Sequence, residues 1–372
     1  MPLAACERKP TAPEAPLTTA SAPASLPSTR PAEANRWELT PAMRALAGAP
    51  AGRHTGLFID RPDGAQLRLM SYNVNFDHIF PDVDVAGAEK FQRLVKTLDP
   101  DILCLQEIRD RTAEDVVALL NAACPLGPGQ TWHARKGSWQ VVASKYPLRA
   151  IADRFAPPAG IGADGRTLRD PAAALVDLPD ERFAIDVCVL NHHFKCCGGV
   201  DNDPDRQKQA DAVASWIRDA RTPGGQVDLP ARTGLIICGD LNLVGGPRPL
   251  QTLLSGDIAD EAAFGPDLAP DWDGSELTDA HPLHNAVGPD DYTWRNDDAT
   301  WDGVHYDPGR LDYLIYSDSV LTAVHKFVLN TTLMSDEELE LAGLERYDVT
   351  FDQVGRDFDH LPLVVDFKPA GP

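Results

Sequence analysis

Apolar positions along the chain fall into short runs bounded by polar residues, and the runs switch between strand and helix periodicity. Leu67-Arg68-Leu69-Met70-Ser71-Tyr72-Asn73-Val74 alternates enough to predict a strand. Over residues 86–98, Phe91, Leu94, Val95 and Leu98 recur at helical spacing, with Glu89, Lys90, Arg93 and Lys96 on other faces. Asp99-Pro100 ends that helix, and residues 102–105 form a short apolar strand closed by Gln106-Glu107. A second helix is expected over 112–122, then strands over 138–145 and 183–194. The segment 203–220 reads as a helix with Ala210, Val213, Trp216 and Ile217 inward. Residues 235–238 are a buried strand running into Gly239-Asp240-Leu241-Asn242, and two further strands are expected over 311–316 and 361–367. Helices and strands mix throughout with no second linker, which predicts one α/β domain over 60–369, with 37–59 as a lead-in.

The first 36 residues differ in kind. They are rich in Pro, Ala, Ser and Thr and poor in bulky apolar residues, so they read as a disordered tether. Within them Leu3-Ala4-Ala5-Cys6 resembles the lipobox of bacterial lipoproteins, in which the Cys is acylated, although the charged and hydrophobic stretches that should precede it are missing. If the true start lies upstream, the expectation is export, with a lipid anchor at Cys6 on the bacterial cell envelope, or a periplasmic location. Otherwise Cys6 is incidental to an ordinary tail.

Charge narrows the function. The chain of 372 residues has 34 Lys plus Arg against 56 Asp plus Glu, a formal charge of −22. That excludes a protein that coats nucleic acid or anionic lipid, which needs clustered cations. It does not exclude a metal enzyme acting on phosphate. The acidity is local: residues 256–305 carry a net −12 and 335–359 a net −7. Both have few strand or helix signals, except that Ser335 and Glu338 form a capping-box start. No run approaches the length of apolar sequence that spans a bilayer. A monomer is expected. Among the cysteines, Cys104, Cys188 and Cys238 sit in apolar runs and read as small core hydrophobes. Cys196 and Cys197 are adjacent. Such a pair rarely bridges to itself, and a disulfide from one of them to Cys124 or elsewhere is allowed but not deducible.

Polar residues recur at the strand ends: Asn73 and Asn75, Glu107, His193, Asp240 and Asn242, Asp312, and Asp359-His360. Strand ends at one edge of a sheet let a rigid scaffold gather groups from distant parts of the chain. Oxygen donors without paired thiolates suit a hard cation, Mg²⁺ first and Mn²⁺ or Ca²⁺ next. A His beside a carboxylate serves as a base or stabilises a phosphate oxygen. The set points to metal-assisted hydrolysis of a phosphoester.

Ser71-Tyr72-Asn73-Val74, Leu105-Gln106-Glu107, Asn191-His192-His193-Phe194-Lys195, Gly239-Asp240-Leu241-Asn242, Arg310-Leu311-Asp312-Tyr313 and Asp359-His360-Leu361-Pro362 resemble the ordered motif set of the endonuclease/exonuclease/phosphatase superfamily. Ala143-Ser144-Lys145-Tyr146-Pro147 resembles its S-[KR]-x-P turn. The resemblance implies a deoxyribonuclease I-like four-layer α/β/β/α sandwich of two facing mixed sheets, with the site at one end. It implies that Glu107 is the principal Mg²⁺ ligand, supported by Asn73 and Asp359. Asp240 and Asn242 would orient water and bind the scissile phosphate, Asp312 would fix the tautomer of His360, and His193 would contact a phosphate oxygen. Arg310, Lys195 and Asn73 would help bind substrate. Asn75 either helps the metal site or caps a turn. His192 faces the other side of its strand and reads as structural. Whether the His360–Asp312 pair or Asp240 takes the water's proton is left open at this stage.

Departures bear on substrate. The extended aromatic-Asp-Arg motif of inositol-polyphosphate 5-phosphatases is absent, no membrane-entering aromatic hairpin of the sphingomyelinase kind is evident, and Gly309 stands where abasic-site endonucleases have Trp. Residues 132–169 hold Arg135, Lys136, Lys145, Arg149, Arg154, Arg166 and Arg169 against Asp153 and Asp164, which is either a phosphate-backbone track or a solvated basic face. The favoured expectation is a Mg²⁺-dependent phosphodiesterase of nuclease type acting on a phosphodiester or nucleic acid. The alternatives are a phosphatase or phospholipase-like enzyme on a small or lipid phosphoester, and a binding module that lost the chemistry. The acidic segments are expected to rim the site, with Asp271, Asp273, Asp290, Asp291, Asp297 or Asp298 as candidate ligands of a structural Ca²⁺.

Overall fold

Strands that are apolar on both faces must be covered on both faces, and that requirement sets the architecture. The computed structural model describes residues 37–151, 155, 158–198, 202–295, 307–349 and 359–370. In chain order the elements are α1 (Pro41–Ala47), β1 (Leu67–Asn73), α2 (Val85–Leu98), β2 (Ile102–Gln106), α3 (Ala113–Ala123), β3 (His133–Lys136), β4 (Gln140–Ser144), β5 (Leu148–Ala150) and β6 (Ala172–Val176). They continue with β7 (Val187–His193), α4 (Asn202–Arg221), β8 (Gly234–Asp240), α5 (Arg248–Ser255), α6 (Glu261–Phe264), β9 (Thr278–Asp279), β10 (Asp312–Tyr316), β11 (Leu321–Val328), α7 (Asp336–Ala342) and β12 (Leu363–Pro369).

The strands form two six-stranded sheets, ordered β11-β12-β1-β2-β4-β3 and β5-β6-β7-β8-β10-β9. Each has one parallel pair near its centre, β1 with β2 and β7 with β8, and is otherwise antiparallel. Alternation along each strand sorts residues between layers. Leu69, Ile102, Cys104 and Val365 of the first sheet pack face to face with Val189, Ile236, Cys238 and Leu314 of the second. Met70, Tyr72, Leu103 and Leu105 point the other way, against Phe91, Leu94 and Val95 of α2 and Val116 and Leu119 of α3. Leu190, Ile237 and Ile315 face Val213, Trp216 and Ile217 of α4. The expected four-layer α/β/β/α sandwich is what forms.

Two buried polar contacts tie the layers together. Arg68 of β1 makes a two-pronged pair with Asp366 of β12, both bonds at 2.7 Å, and its remaining nitrogen donates to the carbonyls of Ile59 and Leu98. Between the sheets, Gln106 Nε2 of β2 donates to Asn191 Oδ1 of β7 at 2.7 Å, and Asn191 Nδ2 donates back to the carbonyls of Leu105 and Val141.

Eight elements carried no readable signal, among them the very short α6 and β9. β6 is Ala-rich, β3 is half-buried throughout, β11 shows only a partial apolar face, β5 spans three residues, and α1 and α5 are short. The Ser335–Glu338 capping box opens α7 as expected. The tether, the Leu3–Cys6 motif, Arg154, Asp297 and Asp298 lie outside the described residues. No helix among the described residues is long and apolar enough to cross a membrane.

Replacing Asn191 with Ala takes the Asn191 donor from two buried backbone carbonyls and one of three acceptors from the Gln106 amide, which keeps Ser71 and Cys104. Each such loss costs about 1–3 kcal/mol, so Asn191→Ala is expected to destabilise the fold by about 2–4 kcal/mol. Equilibrium urea denaturation measures it, and a loss below about 0.5 kcal/mol would show that the sheets do not depend on this contact.

Candidate active site

The two parallel pairs end at the same edge of the sandwich, and their last residues converge there. Asn73 ends β1, His193 ends β7, Asp240 ends β8, Asp312 opens the antiparallel β10, and Glu107 follows β2. Asn73 Nδ2 donates to Glu107 Oε1 at 3.2 Å and to Asp240 Oδ2 at 3.1 Å, bridging the sheets. His193 Nε2 lies 3.5 Å from Asp240 Oδ2 and 4.0 Å from Glu107 Oε1. His360 Nδ1 is 2.7 Å from Asp312 Oδ2, and its Nε2 is 3.7 Å from Asp240 Oδ2. Asn242 turns back so that its backbone N–H donates to Asp240 Oδ1 at 3.1 Å.

Local backbone explains how these groups reach one another. Glu107 and Asn242 both have φ in the left-handed region, +64° and +49°, where a residue with a side chain is strained. Neighbouring hydrogen bonds hold Glu107 there. The Asp77 N–H donates to the Glu107 carbonyl at 3.1 Å, while the Asp77 carboxylate accepts from the N–H groups of Arg109 and Asp110. The loops after β1 and β2 are thereby locked together. Asn75 serves that turn, its N–H donating to Asn73 Oδ1 at 3.1 Å.

One supporting segment had no sequence signal. Thr293 Oγ1 accepts from the N–H groups of Leu311 and Asp312, and the Thr293 carbonyl accepts from Leu361. Trp294 bridges to His360 in a short antiparallel contact, and its indole Nε1 donates to Asp359 Oδ2 at 3.2 Å. This stretch of the acidic 256–305 segment therefore fixes both members of the His360–Asp312 pair. A Thr-Trp pair inside a polar run was the only hint of it.

Burial sharpens the electrostatics. Burial pushes the Asp240 carboxyl up to about 8, with Asp312 and Glu107 adding to the shift and His360 opposing it. Burial and Asp359 raise Glu107 to about 7. For His360, burial disfavours the charge, but Asp312, Asp240 and Asp359 outweigh it and hold the imidazole at about 10, so it is protonated at neutral pH. His193 goes the other way: burial, Arg169 and His360 push it well below its ordinary value, so it is neutral. His192 is a core residue as expected, packed edge-on against Phe155 and Phe194 and lowered to about 3 by burial.

Some expected residues are elsewhere. Lys195 pairs with Asp164 at 2.6 Å, and Arg310 pairs with Asp279 at 2.6 Å while covering the Tyr313 ring. Neither cation reaches the cluster, because each has a nearer carboxylate. The basic stretch 132–169 is also divided. Lys145 is held by Asp99 and Asp101 at the far end of β2, and Arg149 by Asp177 and Asp186. Arg169 comes to the site, 4.4 Å over the half-buried Trp139 ring, with Nη1 donating to the carbonyls of His193 and Phe194. Among the described residues, the candidate Ca²⁺ ligands Asp271, Asp273 and Asp291 each have a separate local partner. Asp271 accepts from Ser319 and Trp272 beyond the far end of β10, Asp273 caps Ser275, and Asp291 pairs with His281. Of the described parts of the acidic segments, Thr293, Trp294 and Asp359 border the site.

The sequence matches the family described as "Endonuclease/Exonuclease/phosphatase family" over residues 70–336. No curated protein gives a match. Among solved structures, the chain is similar to the human Nocturnin catalytic domain with bound sulfate anion, at 15% identity over 82% of this chain and 94% of that one, TM-score 0.48. It is also similar to ANGEL2, a 2',3'-cyclic phosphatase, at 17% identity over 81% and 94%, TM-score 0.47. Truncated Caenorhabditis elegans TDP2 is similar at 20% identity over 81% and 97%, TM-score 0.46. The family match covers well over half of the chain, and it establishes that this protein belongs to the endonuclease/exonuclease/phosphatase family of phosphoester hydrolases.

Proposed function

We propose that the protein is a Mg²⁺-dependent phosphodiesterase of nuclease type, in which water attacks phosphorus in line with the leaving oxygen. The observation that carries this reading is that residues of the cluster bear buried polar atoms with no hydrogen-bond partner: Glu107 Oε2, Asn242 Nδ2, His193 Nδ1 and Asp312 Oδ1. Buried polar groups are ordinarily satisfied, so orphans on such a cluster mark where something else binds. An acceptor on an acidic residue suits a cation, and an amide donor suits a phosphate oxygen.

The donor set fits a hard cation. Glu107 would hold it, with Asn73 and Asp359 beside it, and one or two carboxylates with water are what Mg²⁺ ordinarily takes from a protein. Bound there, the cation would supply positive charge to the phosphoryl and leaving oxygens.

The protonation states favour one of the two mechanisms that the sequence left open. His360, charged through Asp312 and Asp240, is a proton donor and anion binder rather than a base. Asp240, held by the Asn242 N–H and Asn73, would take the proton of the attacking water in its ionised form, whose share grows as pH rises toward about 8. Asn242 Nδ2 and neutral His193 would contact the non-bridging oxygens. Trp139 lies 6.4 Å from the His193 ring and is flanked by Arg169 and Arg109, a platform on which a base can stack while its phosphate meets the cations. That favours a nucleic-acid strand over a lipid headgroup.

Removing a general base or a transition-state charge costs about 10²–10⁴ in rate. Asp240→Asn and His360→Ala are each expected to lower kcat on bis-p-nitrophenyl phosphate and on single-stranded DNA by at least about 10², with unchanged circular dichroism. Near-normal turnover in either variant overturns the site. Cleavage of p-nitrophenyl phosphate without cleavage of the diester overturns the nuclease reading.

A second prediction concerns pH. Glu107, Asp240 and His360 all bind protons more tightly in the folded chain, so their contribution is full below their unfolded values and is lost as pH rises through about 7, about 8 and about 10. In chelator, the thermal midpoint is expected to fall as pH rises from about 6.5 to about 8. Glu107→Gln should shrink that fall, and Mg²⁺ should shrink it in the wild type only. A Mg²⁺ effect equal in both proteins would refute Glu107 as the ligand.

A further inference from the structure

The loop that follows His193 sets two sulfur atoms against each other. Cys196 Sγ and Cys197 Sγ are 2.7 Å apart. The expected alternative partner, Cys124, is buried under the first sheet at the end of α3, in the opposite outer layer of the sandwich. The pair therefore faces itself, contrary to what adjacency alone suggests.

The conformation is held from outside. Arg206 of α4, almost fully buried, donates Nη1 to the carbonyls of Lys195 and Cys197 at 2.9 and 2.8 Å, on either side of Cys196. Asn202 Nδ2 donates to the carbonyls of Cys197 and Gly198 at 3.3 and 3.0 Å. Cys197 has φ +73°, a conformation a residue with a side chain takes only when its surroundings impose it. Four donated hydrogen bonds from one helix impose it here.

These two thiols also differ from the others in reach. Cys196 and Cys197 are half-buried, whereas Cys104, Cys124, Cys188 and Cys238 are buried. Burial pushes the Cys124 thiol up to about 12 and raises Cys104 and Cys188 as well, which makes them inert. The guanidinium of Arg169 neighbours both Cys196 and Cys197, and a nearby cation favours the reactive thiolate.

We propose that Cys196 and Cys197 are a redox modification site, a vicinal dithiol that closes reversibly to a disulfide when it meets a hydroperoxide. One thiolate attacks the peroxide oxygen, the O–O bond breaks, and a sulfenic acid forms with release of water or alcohol. The second sulfur attacks the first and displaces water, and the peroxide has taken the two electrons that the sulfurs lose. Adjacent Cα atoms are about 3.8 Å apart, below the lower limit of about 4.4 Å for ordinary disulfides, so the closed form is readily reduced and the site is reversible rather than structural.

The test uses the full chain, reduced, treated with one equivalent of hydrogen peroxide, then alkylated, digested and weighed. The peptide carrying both cysteines is expected to be lighter by two hydrogens and unalkylated, and dithiothreitol should restore alkylation at both. Cys196→Ser should abolish the mass loss. As a readout without oxidation, phenylarsine oxide should protect both thiols from alkylation in the wild type and leave Cys197 of the Cys196→Ser variant open. The proposal is overturned if both cysteines alkylate fully after peroxide, if either is found linked to Cys6, Cys124 or a second chain, or if the arsenical protects neither.

Discussion

Two amide side chains in the middle of the sandwich set the geometry on which everything at its edge depends. Packing of two apolar sheets is non-directional, so burial alone would let one slide over the other at little cost. Gln106 and Asn191 remove that freedom because their hydrogen bonds have direction. Gln106 is the residue before Glu107, and Asn191 lies two before His193 on the same face of β7. Fixing one amide against the other therefore fixes Glu107 against His193. Asn73 repeats the bridge one layer further out, where it touches Glu107 and Asp240 together.

The edge itself is costly to fold. Glu107 and Asn242 sit in strained backbone, three acids share a dry space, and two of them are pushed toward neutrality. A protein selected for stability alone would fill this space with apolar side chains. The rest of the molecule offsets the cost: the Arg68–Asp366 pair is fully hydrogen-bonded, and the central strands are buried on both faces.

How much of this could be read from the sequence follows from how each part is specified. β1 alternates, β2, β7, β8, β10 and β12 carry apolar runs, and the polar residues that stand at their ends or just before them stand out, so Asn73, Glu107, His193, Asp240, Asp312 and His360 were legible. Strands whose signal is weak were not: β6 is mostly alanine, and β11 shows only a partial apolar face. Lys195 and Arg310 lie within motifs, but their partners Asp164 and Asp279 are distant in sequence, and only the fold shows those carboxylates to be nearer than the cluster. Asn191 was visible as part of a motif, yet its role as a clamp required knowing which strand lies across from it. Thr293 Oγ1 and Trp294 Nε1 serve residues 18 to 65 positions further along the chain, and only the fold brings those partners to them.

Strand order in the first sheet has a consequence for how the molecule comes into being. β12 is inserted between β11 and β1, although β1 is the first strand made and β12 the last. During synthesis, β1 therefore waits with one hydrogen-bonding edge open until almost the whole chain has emerged. His360 arrives only with the residues leading into β12. The proposed hydrolytic centre therefore cannot be complete before the residues leading into β12 have been made.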